Sequence, residues 1–359
     1  MRVVFSVFIL GCSLYVAGQL PLYTYIDVTP TLTIPEDINS ERSVAIVQVP
    51  DKQTEIRQVG DWQALSTKVH RAFITMGVDV VTYVNHYDIV ASSNARNAFA
   101  ALFARRGVKN IIFLVERDNS FEIMIAPFNN KATFIENGSS VFYTEEKQLH
   151  DLLLSTGREI KRADHENENF LIPAKPTFTS GLSIVEKSLL KNYPGILRRS
   201  KLSVERFAKL EIPNNASAET LAKITAFNDA VQQQNIELDT LLKSYPYEYE
   251  VIDPMSDDDL LRSRRQYVLR SISGQAKTLR EMLDYNVNPS ETDFVSIIPV
   301  MPDQTKAKRI PKNALVHKFY IRQNISKNIH VGEWDADATW QAALNNMIGN
   351  MIQEHNVDR

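Results

Sequence analysis

The sequence predicts an α/β protein of two small, mostly parallel α/β lobes separated by a helical segment. Three observations carry that expectation. Apolar runs of strand length alternate with helical stripes between residues 41 and 163. The alternation returns after residue 246, and each half closes on strand, turn, strand and helix. If the second half repeats the first, the two sheets must share one strand order.

Residues 1–18 carry Arg2, an apolar run from Val3 to Leu10, and small residues ending at Gly18, the layout of a secretory signal cleaved before Gln19. Its apolar stretch is shorter than the roughly 20 residues a spanning helix needs, so no membrane span is expected after processing. Ile9-Leu10-Gly11-Cys12 also resembles a lipobox, which makes a lipoprotein anchored at Cys12 the alternative. The ending Ala17-Gly18-Gln19 is similar to signals of Gram-negative exported proteins. That resemblance implies a periplasmic or extracellular protein.

Residues 19–40, with Pro21, Pro30 and Pro35, read as an extended lead-in. Val44 to Val49 is a buried strand stopped by Pro50. Trp62, Leu65, Val69, Phe73 and Met76 recur at helical spacing, with Asp61 as cap and Gly77 as stop. Val78 to Val84 is a second strand, and Ala95, Phe99, Leu102 and Phe103 a second helix ended by Gly107. Ile111 to Val115 and Phe121 to Ala126 form a hairpin at an antiparallel edge, and a helix from Leu149 closes the lobe near Ala163.

Residues 164–182, with Pro173 and Pro176, read as a linker, and 183–245 as a helical segment whose main helix runs from Ala216 to Lys243. The second lobe, 246–359, opens with a strand at Tyr247–Ile252. Ser256 then caps one long helix with Leu261, Val268, Ile272, Leu279 and Leu283 on its buried face. A strand at Phe294–Val300, a hairpin of Leu315–Ile321 with Ile329–Val331, and a helix from Trp340 to Met351 complete it.

With 40 Lys and Arg against 43 Asp and Glu, the chain has no basic field for nucleic acid, and its 44% apolar content suffices for a packed core. Its single cysteine excludes a disulfide framework. None of the twelve glycines opens a phosphate-binding loop, and no Gly-x-Ser-x-Gly elbow occurs. The seven histidines, His70, His86, His150, His165, His317, His330 and His355, show no metal-ligand spacing, so neither metal nor cofactor is expected.

Ligands of open α/β sheets sit beyond the carboxyl ends of the strands. In the first lobe those ends carry Asp51 and Lys52, then Asn85, His86 and Asp88, then Glu116 and Arg117, a candidate binding rim. Lys306, Lys308, Arg309 and Lys312, with Arg262, Arg264 and Arg265, could meet an acidic partner or an anionic surface. Asp335-Ala336-Asp337-Ala338-Thr339 resembles the first motif of haloacid-dehalogenase-like phosphatases, which implies a nucleophilic first Asp. The plain reading makes Asp335 or Asp337 the cap of the last helix.

The arrangement of residues 41–128 resembles the small N-terminal α/β domain of TolB-like envelope proteins. That layout implies an envelope protein acting through a protein partner. Gln266-Tyr267-Val268-Leu269-Arg270 is similar to exported bacterial proteins labelled NTPases, a label at odds with the missing phosphate loop. The expectation is thus an exported binding or assembly protein without evident catalysis. The alternatives are a hydrolase of phosphate or glycan bonds and a small-molecule carrier.

Overall fold

The computed structural model describes residues 28–136, 138–212, 218–300 and 304–357. The signal-like segment with Cys12, Gly18 and Gln19 lies outside the described residues, as do Asn137 and Asn215, each of which opens an Asn-x-Ser glycosylation pattern. By its internal contacts the chain divides between Leu182 and Ser183 into two units. Among the described residues no helix is long and apolar enough to cross a membrane.

The first lobe runs β1 (Thr29–Thr31), β2 (Arg42–Gln48), α1 (Trp62–Thr75), β3 (Val80–Asn85), α2 (His86–Ile89), α3 (Ser93–Arg105), β4 (Val108–Glu116), β5 (Phe121–Pro127), β6 (Ser140–Glu146), α4 (Leu149–Ala163) and β7 (Phe178–Thr179). Its sheet has the order β1-β6-β5-β4-β2-β3-β7. Only β5 runs against the other strands. The antiparallel strand therefore sits inside the sheet and not at its edge, because β6 and β1 add beyond it. Val44, Ala45, Ile46 and Val47 are buried on both faces, as a central parallel strand requires. Asp61 caps α1 by accepting from the Ala64 N–H, and Ser92 caps α3.

The stretch 164–182 belongs to this lobe's fabric. β7 pairs with β3, and buried His70 spans from the Tyr83 hydroxyl (3.0 Å) to the Pro173 carbonyl (2.8 Å). A two-residue strand has no period to read, which is why the sequence presents only a linker.

The second lobe runs β8 (Leu189–Leu190), β9 (Leu202–Glu205), α5 (Ala218–Leu241), β10 (Tyr249–Ile252), α6 (Asp257–Arg262), β11 (Tyr267–Gln275), α7 (Ala276–Met282), β12 (Asp293–Val300), β13 (Gln304–Pro311), β14 (Leu315–Gln323), β15 (Asn328–His330) and α8 (Trp340–Glu354). Two expectations are corrected here. Residues 183–245 are no separate helical segment, since β9 is a central strand of this sheet. The long helix after Ser256 is three elements: α6 ends where Arg264 takes a left-handed φ of 60°, and Val268 and Ile272 lie on strand β11. Those residues are four apart, a spacing that serves a helix face and one strand face alike.

Its sheet has the order β10-β9-β11-β14-β15-β8, and only β14 runs against the rest. Set beside β3-β2-β4-β5-β6-β1, this is the same order with the same directions, as a repeat demands, the first sheet carrying β7 in addition beyond β3. The helices follow suit, with α1 and α5 after the first central strand and α4 and α8 after the last. The second copy differs by an insertion: where β4 turns straight into β5, it places α7 and the β12–β13 hairpin between β11 and β14.

The core of the second lobe gathers Leu202, Val204, Leu238, Ile321, Leu344, Met347 and Met351, each contributing roughly 1.5–3 kcal/mol on burial. Beside it lies Gly332, at φ 59°, where an added Cβ would stand 2.5 Å from the Tyr193 Cζ. Gly332→Ala is expected to lower stability by at least about 1–2 kcal/mol from backbone strain alone. Urea unfolding checks it, and an unchanged midpoint would mean that the backbone at 332 relaxes out of the left-handed region and Tyr193 moves aside, both without cost.

Candidate functional site

Parallel strands in register bring their ends together. Val47 of β2 lies beside Asn85 of β3 and Leu114 of β4, so the three chains leave the sheet at one level. The seven residues expected at this rim separate into three groups. Lys52 and Glu116 line a cleft of about 590 Å³, together with the start of α1 and the start of α4. Asp51, Asn85, His86 and Asp88 form a buried polar layer in the same lobe. Arg117 is held by Glu122 across the β4–β5 turn.

In the buried layer the Asp51 carboxylate accepts from the Tyr87 hydroxyl (2.8 Å) and pairs with Arg57. Burial pushes its pKa up to about 6, and the Tyr87 bond holds it partly back. The Asn85 side chain accepts from the Tyr87 N–H and so starts α2. Burial lowers the His86 pKa to about 4, leaving the ring neutral at pH 7. Asp88 is 1% exposed. These residues shape the turn beneath the rim, and α2 itself was not legible because one helical turn carries no stripe.

Three further groups line the cleft that position alone did not indicate: Lys68, Lys147 and the first turn of α4. Lys68 follows Ala64 by four residues and so lies on the same face of α1. Lys147 directly precedes α4. Helical spacing around Ala64 and Leu65 could have pointed to Lys68. Nothing in the sequence pointed to Lys147, since β6 was not expected there. Lys52, Lys68 and Lys147 are exposed, and none has an ion-pair partner among the described residues. The start of α4 adds to this field, because Gln148 makes no side-chain cap bond to its first-turn N–H groups. Val49, Leu65, Phe121 and Leu149 supply apolar wall. The arrangement can hold an anion carried on a partly apolar body.

The second copy treats the equivalent place differently. Beyond the end of β9, Phe207 meets Trp340 at the start of α8, ring centroids 5.1 Å apart, where the first lobe leaves open space between Pro50 and Leu149. Its charges are also paired: Arg270 with Glu205 and Asp257, Arg322 with Asp257 and Glu186. The open lysine cleft lies in the first lobe, and the Phe207–Trp340 contact occupies the equivalent place in the second.

The Asp335–Thr339 motif is structural. Asp335 and Lys318 are both fully buried and joined at 2.6 Å. Tyr193 and Asn350 donate to the other Asp335 oxygen, and Lys318 also donates to the Val331 carbonyl. Burial raises the Asp335 carboxyl and lowers the Lys318 ammonium, each restrained by the other. Asp337 takes Lys308, and the cap of α8 is Thr339, correcting the expectation that an Asp performs it. Among the described residues no cluster of three His, Cys, Asp or Glu is placed to hold a metal. The sequon residue Asn324 is fully buried, its amide donating to the Arg265 carbonyl, which removes it as a glycosylation acceptor.

Compared with protein-family models, curated proteins and solved structures, the chain matches none of them.

Proposed function

We propose that this protein works by binding, as an exported component of the cell envelope whose first lobe holds an anionic ligand. The observation that carries the reading is the cleft at the carboxyl ends of β2 and β4, where Lys52, Lys68 and Lys147, without an ion-pair partner among the described residues, outnumber the carboxylates of Asp61 and Glu116. Cations gathered over a partly apolar wall create a favourable potential that an incoming anion can neutralise. The plugged counterpart in the second lobe supports the same reading, since the repeated fold does not by itself require an opening. Signal-like residues 1–18 and the TolB-like layout favour the envelope as the place and a protein as partner.

The test is calorimetric titration of the full chain with inorganic pyrophosphate and with phosphate at low salt. Lys68→Glu with Lys147→Glu is expected to weaken pyrophosphate binding at least about tenfold per lysine removed, each decade being about 1.4 kcal/mol. Both side chains are exposed, so the thermal midpoint should stay within a few degrees of the parent. Absence of binding, or binding indifferent to the double variant, would exclude the cleft as an anion site. In cells, crosslinking followed by recovery of a C-terminally tagged chain should bring down an envelope protein.

A further inference from the structure

The insertion that distinguishes the second lobe points to a second surface. The repeat needs only a tight turn between its third and fourth strands, as Arg117–Ser120 shows between β4 and β5. In the second copy this place carries α7 and then a two-stranded antiparallel hairpin, in register from Asp293 opposite Pro311 to Val300 opposite Gln304. One side of the hairpin is anchored. The Ile297 N–H donates to the Trp334 carbonyl, Ser296 donates to the Ala336 carbonyl, and Phe294 and Ile310 are buried. The other side is β13, which has β12 as its only strand neighbour among the described residues.

β13 is long for an exposed edge, and four of its first residues, Gln304 to Ala307, are solvent-exposed. Alternate backbone N–H and C=O groups of an edge strand face outward, a template for another strand. Its cations are arranged along that edge. Lys308 is engaged with Asp337, whereas Lys306 and Arg309 on the strand, and Lys312 just beyond its end, are exposed without an ion-pair partner among the described residues. The chain as a whole is slightly acidic, at net −3, so this basic edge is a local feature. Like charges set against each other repel, so the edge disfavours a second copy of β13 and favours a strand of opposite sign.

We propose that the outer edge of β13 is a docking strand for an extended acidic segment of a protein partner, which adds to the hairpin as a third strand. Main-chain hydrogen bonds to β13 supply the affinity, and Lys306, Arg309 and Lys312 select for Asp or Glu on the incoming strand. This surface is independent of the first-lobe cleft, and either can fail without the other.

The experiment uses the full chain and two fluorescent peptides, one alternating Glu and Val, the other alternating Lys and Val. Anisotropy should show binding of the glutamate peptide alone, weakening as salt rises. Hydrogen exchange should slow at the outward-facing amides within 304–310 on its addition. Lys306→Glu with Arg309→Glu is expected to cut affinity for the glutamate peptide at least about tenfold and admit the lysine peptide. An unchanged thermal midpoint confirms that the double variant is folded. The proposal is overturned if the glutamate peptide does not bind, if it binds without protecting those amides, or if the charge-reversed variant binds it equally well. Binding of anionic lipid vesicles in place of the peptide would also overturn it, marking the edge as a membrane contact.

Discussion

Replacing Lys318 by methionine is expected to destabilise the second lobe by about 3–5 kcal/mol, because it strands a carboxylate in the interior. Lys318 and Asp335 are both 0% exposed, and the ammonium bridges the Asp335 Oδ1 and the Val331 carbonyl at 2.6 Å each. Methionine has comparable length but no donor, so both acceptors lose their partner in a medium that cannot solvate them. Tyr193 and Asn350 still donate to Oδ2, which limits the loss without cancelling it. Without the ammonium, the Asp335 carboxyl, already raised by burial, should rise further and take up a proton. The variant should therefore be less stable at pH 8 than at pH 5, relative to the parent. Adding Asp335→Asn removes the charge, keeps an acceptor for Tyr193 and Asn350, and should recover most of the loss. Urea unfolding of the parent, single and double variants decides the matter. A single-variant loss below about 1 kcal/mol would mean that water reaches the pair.

Acid should act through two histidines, one in each lobe. His86 and His317 are buried, and burial lowers both pKa values to about 4, with Asp337 opposing the shift at His317. In the unfolded chain each ring takes a proton near pH 6.5. The stabilising effect of a neutral buried ring is thus complete above pH 6.5 and lost as pH falls through that value toward 4. Each ring accounts for up to about 3 kcal/mol over that window. Asp51 works in the opposite sense. Its folded pKa of about 6 lies above the free value of 3.8, so its burden is present above pH 6 and relieved as pH falls toward 4. The total curve mixes these groups, and the difference between the parent and His317→Gln isolates one of them. That difference should shrink steadily from pH 7 to pH 4.5, with His86→Gln behaving alike. A parent-minus-variant difference that stays level with pH would show that the rings take up protons as readily in the folded protein as in the unfolded chain.

The parts of the fold legible in the sequence are those with a long period. The Trp62–Phe73 stripe and the final helix from Trp340 are found where they were expected, because more than ten residues repeat one choice of face, and the Val44–Val47 run because an unbroken apolar stretch marks a strand buried on both faces. Short elements escaped. β1, β7 and β8 span only two or three residues each, too few to show alternation. β11 was read as helix because Val268 and Ile272 satisfy either period, and only its place between β9 and β14 decides for strand. Leu189–Pro194 and Leu241–Pro246 share the pattern Leu-Leu-Lys-x-Tyr-Pro, yet the first holds the two-residue strand β8 and the second the end of α5, so local likeness does not imply like structure.

At the site the division is the same. Lys52 and Glu116 could be named in advance because the carboxyl ends of parallel strands gather at one rim whatever the side chains are. His86 and Asp88 are named by the same rule but lie buried, since α2 folds them beneath the rim, and the Asp51 side chain is buried against Tyr87 and Arg57. Lys68 and Lys147 come to the cleft from elements far apart in sequence, a convergence no linear pattern records. What the sequence determined by itself was the α/β class, the near-neutral charge and the polar ends of the strands, because these depend on composition and on local period. What only the tertiary structure decided was the shared strand order of the two lobes, where the lysine cleft forms, and which charges are paired. Those depend on side chains meeting across long sequence separations, where contact distance and burial, rather than residue type, set the energy.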